Sequence, residues 1–135
     1  MSLIKAIPLQ SIGDGRGNLI AIEGQKTVPF AIARVYYLTQ LNDHARGFHA
    51  HKKLQQLVVC LHGSCKFVLD DGKCREEIVL NRPDTALFVG NMIWREMSDF
   101  KDDCVLMVLA DARYDEADYI RNYEDFIALS QQSRG

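Results

Sequence analysis

Two histidines one residue apart, His49 and His51, are the part of this chain best suited to chemistry. They stand in Arg46-Gly47-Phe48-His49-Ala50-His51-Lys52-Lys53, ahead of the apolar run Leu57-Val58-Val59-Cys60-Leu61. In an extended segment, side chains at i and i+2 point to one face, roughly 6.5–7 Å apart along the strand. Both imidazoles then share one space. Imidazole changes charge near neutral pH, so a pair of them suits metal binding or proton transfer. The plain alternative is a half-exposed strand that merely carries two histidines.

The elements that must hold the pair read as short β-strands. Asp14-Gly15-Arg16-Gly17-Asn18 is a turn leading into a strand over 19–23, with Arg16 between two glycines where a solvated turn arginine is the ordinary reading. A second strand, 31–39, is rich in β-formers. Its alternation separates Arg34, Tyr36 and Leu38 from Ala33, Val35 and Tyr37, so only one of the two tyrosines faces inward. A loop with a solvated His44 then delivers the chain to the histidines. Beyond them the pattern predicts a strand over 55–61, a tight turn at His62-Gly63-Ser64, a return over 65–69 and a second hairpin turn at Asp70-Asp71-Gly72-Lys73. Further strands follow over 76–80, 86–89, 93–97 and 104–109. Turn signals about every eight to twelve residues indicate an antiparallel sandwich or barrel, not βαβ units. From Glu116 the period changes: Tyr119, Ile120, Tyr123, Phe126, Ile127 and Ser130 recur at three and four residues. This predicts one amphipathic helix whose aromatic stripe is packing, not a ligand site.

Composition narrows the class. A chain of 135 residues fits one domain, 1–135, and its 47% apolar and 25% charged residues are unlike disordered or fibrous sequences. A net charge of -2 offers no electrostatic ground for binding nucleic acid or an anionic membrane. No apolar run approaches the roughly 18–20 residues of a spanning helix, and no signal-peptide core is seen, so a cytoplasmic protein with reduced thiols is expected. Cys60, Cys65 and Cys104 lie in strand-like runs as small core residues, and Cys60-x4-Cys65 with an isolated Cys74 is a poor zinc pattern.

Gly47-x-His49-x-His51 before a strand, then Gly63, with Pro83 to Gly90 and Arg95 beyond, resembles the two signature segments of the cupins, which are double-stranded β-helices or jelly rolls. One branch is closer. Arg16-Gly17, Arg34-Val35-Tyr36-Tyr37, the Arg46 to Leu54 run, Trp94-x-Glu96-Met97 and Tyr114-Asp115-Glu116-x-Asp118-Tyr119-Ile120-Arg121 are similar to the nucleotide-sugar 3,4-ketoisomerases of the FdtA/QdtA type. The resemblance covers nearly the whole chain. It implies an all-β cupin with one C-terminal helix and a metal-independent, cofactor-free isomerase of dTDP-4-keto-6-deoxyglucose. It also implies a cytosolic homodimer that exchanges N-terminal strands and serves synthesis of deoxysugars for surface polysaccharides. In that family the matching histidines, here His49 and His51, work the proton chemistry.

The residues agree with that implication. A typical cupin metal site adds a carboxylate after the histidine pair and a third histidine from the second segment. Here those positions hold Gln55 and Arg95, a neutral amide and a permanent cation that repels a divalent ion. Moving a ketone from carbon 4 to carbon 3 takes a proton from carbon 3, passes through an enediolate and returns a proton at carbon 4, which imidazole can do. His51 is expected as the base at carbon 3, with His49 delivering or relaying the proton. Arg16, Tyr37 or Arg95 can donate to the oxyanion, and Arg46 and Lys53 can meet the diphosphate. The face protonated at carbon 4 decides between a 6-deoxy-galacto and a 6-deoxy-gluco product; the residues leave both open, and Arg16 and Arg95 are those expected to steer it. Two alternatives stand beside this reading: a cupin dTDP-sugar epimerase with a His base and a Tyr acid, and a non-catalytic sugar-nucleotide-binding or metal-dependent cupin.

Overall fold

The computed structural model describes residues 2–134; Met1 and Gly135, the ends of the expected 1–135 domain, lie outside the described residues. Antiparallel strands dominate, and one helix follows them: β1 Lys5–Pro8, β2 Ser11–Gly13, β3 Asn18–Ile20, β4 Arg34–Leu38, β5 Arg46–His51, β6 Gln56–Asp70, β7 Arg75–Leu80, β8 Thr85–Val89, β9 Trp94–Ala110, β10 Tyr119–Ile120 and α1 Tyr123–Arg134. Strand neighbours run β1-β8-β6-β9-β5-β10, with β4 on β9 and β7 on β6; β2 and β3 pair only with each other. This is the cupin jelly roll with a C-terminal helix.

Two long strands differ from the short ones expected. β6 runs straight through His62-Gly63-Ser64, which is a set of register shifts against β9 and not a turn. Gly63 makes this possible: its φ is +71°, and a Cβ there would lie 2.3 Å from the Lys101 carbonyl oxygen. β9 likewise joins the predicted 93–97 and 104–109 strands through a kink where Asp99, Asp102 and Asp103 take positive φ. A hairpin and a bulge share the same Gly-Ser chemistry, so the sequence pattern could not tell them apart.

Alternation decides what β6 buries. Val58 and Cys60 join Phe67, Leu87, Leu106 and Val108 in the interior of the jelly roll. Leu57 and Val59 face the other way, yet Val28, Phe30 and Leu109 cover them in a second apolar layer. Each such fully buried Leu, Val or Phe contributes roughly 1.5–3 kcal/mol over an exposed one.

The C-terminal helix starts later than the period suggested. Glu116–Asp118 is one 3-10 turn, β10 follows, and α1 begins at Tyr123, capped by the Asn122 side chain, which accepts the Asp125 N–H at 3.0 Å. Backbone pairing overrides helical spacing here, because Tyr119 and Ile120 lie opposite His51 and Ala50. Phe126 is buried and stacks on Trp94 at 5.8 Å, so from Tyr123 onward the aromatic stripe is packing, as expected.

Candidate active site

The histidine pair owes its orientation to a defect in β5. Gly47 has φ +94° because β9 passes so close that a Cβ would lie 2.9 Å from the Arg95 carbonyl oxygen. Phe48 has φ +54°, and the register shifts between Gly47 and His49. This bulge turns both His49 and His51 toward the interior, their rings 5.0 Å apart and nearly perpendicular at 89°.

Each ring is fixed through Nδ1. His49 Nδ1 lies 3.1 Å from the Gly47 carbonyl oxygen, and His51 Nδ1 lies 3.2 Å from Asp118 Oδ2. Both partners are acceptors, so in the neutral rings Nδ1 carries the hydrogen and Nε2 keeps its lone pair. His51 is 2% exposed, its Nε2 buried without a partner, whereas His49 is half-buried. Burial first, then the Arg95 cation, lowers both histidines to about 3. Arg34 and Arg121 push His51 in the same direction, while the Glu116 carboxylate opposes them. Both imidazoles are therefore neutral at pH 7.

Beside them, three strands contribute a polar chain. Arg95 is buried and stands opposite His49 in the β5–β9 register. Its guanidinium donates to Gln56 Oε1 and, at 3.1 Å, to the Ile93 carbonyl oxygen. Gln56 in turn donates from Nε2 to the Tyr36 hydroxyl at 2.9 Å. Burial lowers Arg95 to about 10, which still leaves it cationic at neutral pH. Its Nε has no partner among the described residues.

The pair opens toward a cavity of about 180 Å³ lined by His51, Arg34, Lys53, Arg113, Tyr114 and Tyr119, among others. Tyr119 forms its inner wall, with ring centroids 4.4 Å from His51 and 5.1 Å from His49. Arg121 lies 4.1 Å over Tyr119 and is held by Glu116, which accepts its Nε and Nη2 at 2.9 and 2.8 Å and the Tyr114 hydroxyl at 2.9 Å.

Of the residues expected at a site, the structure brings together His49, His51, Arg95 and Lys53, and leaves three elsewhere. Tyr37 is 70% exposed on the outer face of β4, so the inward tyrosine is Tyr36. Arg46 is exposed and lines a separate hollow with Thr39 and His44. Arg16 caps the β2–β3 hairpin, its side chain 89% exposed and paired with Asp14, away from the histidines of its own chain. The side chain aimed at Arg95 is Gln56, not the neighbouring Gln55, since β6 begins its inward alternation at Gln56. Among the described residues no group of three or more His, Cys, Asp or Glu side chains is arranged to hold a metal ion. Gln56, Arg34, Tyr36, Asp118 and Tyr119 were not marked as site residues by sequence. Alternation groups Arg34 with Tyr36 without saying which face is inward, and Asp118-Tyr119 lies inside the Tyr114 to Arg121 motif.

A jelly roll whose interior ends in two imidazoles beside a buried arginine places the chain in the cupin class. Residues 2–131 match the family model described as FdtA: WxcM-like, C-terminal, and the chain belongs to that family. It is 54% identical over 123 residues to a TDP-4-oxo-6-deoxy-alpha-D-glucose-3,4-oxoisomerase from Aneurinibacillus thermoaerophilus, covering 90% of this chain and 88% of that one. Among solved structures, QdtA, a sugar 3,4-ketoisomerase from Thermoanaerobacterium thermosaccharolyticum in complex with TDP, superposes with a TM-score of 0.94 at 45% identity, covering 97% of this chain and 96% of that one. The TDP-quinovose 3,4-ketoisomerase WlaRB from Campylobacter jejuni gives 0.90 at 47% identity, covering 95% and 99%. The chain is an isomerase, and no helix among its described residues is long and apolar enough to cross a membrane.

Proposed function

We propose that the chain converts dTDP-4-keto-6-deoxyglucose to its 3-keto isomer through an enediolate, without a metal or cofactor, in cytoplasmic synthesis of deoxysugars for surface polysaccharides. The observation that carries this reading is the pair of imidazoles with Nδ1 committed and Nε2 free, next to a fixed arginine. In the reaction a base removes the carbon 3 proton, acidified by the ketone at carbon 4. A proton is then added at carbon 4 from the acid form of an imidazole. The hydroxyl hydrogen moves from oxygen 3 to oxygen 4, so the isomers balance. Arg95 lies where it can donate to the developing oxyanion, and a preorganised donor of this kind is worth about 10²–10³ in rate.

His51 is the base in this reading, because a carboxylate behind Nδ1 stabilises the imidazolium that forms. The greater exposure of His49 and its place opposite Arg95 favour the reverse division, in which His49 meets carbon 3. The diphosphate belongs beside Lys53, with Arg34 and Arg113 in the same cavity supplying the cations expected of Arg46. The β2–β3 hairpin, which carries Ile12 and Leu19 at 59% and 60% exposed, docks on a second copy and takes Arg16 to that copy's site. That is the homodimer with N-terminal strand exchange.

The test is proton NMR in deuterated water with dTDP-4-keto-6-deoxyglucose and metal-stripped protein. Deuterium at carbon 4 with a ketone at carbon 3 supports the isomerase, and the ring couplings give the galacto or gluco configuration. A ketone that stays at carbon 4 while deuterium enters at carbon 3 or 5 makes the chain an epimerase. Binding without any exchange makes it a sugar-nucleotide-binding module. His49→Asn and His51→Asn, run side by side, assign the base to whichever variant loses exchange at carbon 3.

A further inference from the structure

We propose that Asp118 is a positioning residue, which locks His51 in the Nδ1–H tautomer so that its Nε2 lone pair is held toward the interior. The argument is one of geometry. Asp118 Oδ2 accepts from His51 Nδ1 at 3.2 Å and from the Leu54 N–H at 3.2 Å, while Oδ1 accepts the Lys53 N–H at 2.9 Å. The Asp118 carbonyl oxygen accepts the Lys52 N–H at 2.9 Å. The three residues directly after His51 are thus tied to Asp118, two of them through its carboxylate, which fixes the ring's plane and height at the end of β5.

The tie also explains an otherwise costly feature. A buried polar nitrogen without a partner costs about 1–3 kcal/mol, and His51 Nε2 is such a nitrogen. A free imidazole would place its hydrogen to avoid that loss. Among the described residues no acceptor stands at Nε2, and an N–H on that atom would be buried unpaired while Nδ1 faced a carboxylate with its lone pair. Both changes are unfavourable, so the carboxylate selects one tautomer. Asp118 lines the edge of the cavity, but its carboxylate oxygens are taken by His51 Nδ1 and the Lys53 and Leu54 N–H groups, so it acts through His51.

This rests on the isomerase reading for its kinetic consequence but not for its structural one. The first experiment is a long-range proton–nitrogen NMR spectrum of the wild-type protein labelled at histidine nitrogen. His51 is expected as Nδ1–H with an unprotonated Nε2 at pH 7, and an Nε2–H signal overturns the proposal. The second is Asp118→Ala. The tautomer is expected to shift toward Nε2–H, kcat to fall about 10²–10⁴-fold with KM little changed, and added formate to restore part of kcat. A merely structural role would not move the tautomer or respond to formate. Unchanged kcat, or His51 still Nδ1–H in the variant, overturns the proposal. If Asp118→Ala does not fold, the wild-type spectrum decides alone. If the wild type has the expected tautomer but leaves the keto-sugar untouched, the functional reading fails and the positioning role stands.

Discussion

The two ends of the jelly-roll interior are built on the same strands and serve opposite purposes. Going along β4 inward-facing residues pass from Leu38 to Tyr36 to Arg34; along β6 from Cys60 to Val58 to Gln56; along the first part of β9 from Met97 to Arg95. At one end Cys60, Cys65, Cys104, Phe67 and Leu106 close into an apolar cluster whose thiols are free. At the other, Arg34, Tyr36, Gln56 and Arg95 meet His49 and His51. Alternation sets the face in both halves, and only the residue types along the strand change. The apolar half supplies the burial that lets the polar half keep an arginine and two imidazoles away from water.

The sharpest way to break this contrast is to substitute one residue at each end. His51→Asn is expected to lower kcat by about 10²–10⁴-fold, the usual worth of a positioned acid or base, with little change in Tm. Leu106→Ala, wholly buried at the other end, is expected to cost about 2–5 kcal/mol by leaving a cavity, while folded protein keeps its kcat. Thermal unfolding and initial rates measured on both variants decide it. An active His51→Asn or an undisturbed Leu106→Ala would remove the division of labour.

Arg95 tests the boundary between the halves, because it belongs to both accounts. Arg95→Met keeps bulk but leaves the Gln56 carbonyl oxygen without its donor, a cost of about 1–3 kcal/mol, and removes the cation beside His49. Activity is expected to fall by about 10²-fold or more through loss of the oxyanion donor. Because the same cation lowers His49, the acid limb of kcat/KM should move to higher pH in the variant. A limb that stays in place would separate Arg95 from the titration of the pair.

A stability consequence follows from the same burial. His49 is lowered to about 3 in the folded chain against about 6.5 in the unfolded one. Above pH 6.5 both states hold the neutral ring and nothing is lost. As pH falls from about 6.5 toward 3 the unfolded state takes up a proton that the folded state does not, so stability declines, by on the order of 2 kcal/mol at pH 5. Chemical denaturation of the wild type and His49→Asn at pH 7 and pH 5 checks this. The variant should lose less between the two, and an equal loss would mean that the ring is not buried as described.

Much of this arrangement is legible in the sequence. The i, i+2 rule placed His49 and His51 together, and the absence of a third metal-type ligand at Arg95 was visible in the residue itself. What escaped has physical causes. β6 is covered on both faces, by the interior through Val58 and Cys60 and by the second layer through Leu57 and Val59, so its hydrophobicity could not say which face is inside. Asp118 and Tyr119 lie 67 and 68 positions after His51 and reach it only through the β10 pairing, a contact that no local period encodes. Arg16 and Arg46 stand out in sequence by charge and neighbours, and within their own chain both lie away from the pair, since neither signal encodes where a turn or loop is carried.

The two tyrosines of β4 give the finest version of the contrast, since they are adjacent, chemically identical and face opposite ways. Tyr36 accepts from Gln56 at 2.9 Å and lies under the Arg34 guanidinium at 4.8 Å. Tyr37 stands on the uncovered face of the same strand beside the exposed Val35. Removing the Tyr36 hydroxyl leaves the buried Gln56 amide without its acceptor and loosens the group that fixes Arg95. Tyr36→Phe is therefore expected to cost about 1 kcal/mol of stability and a few-fold in kcat, whereas Tyr37→Phe should stay within about 0.5 kcal/mol in the isolated chain. If Tyr37→Phe proves the more damaging of the two, the outer face of β4 is covered in the working protein, and the site must be completed by a second copy docked there.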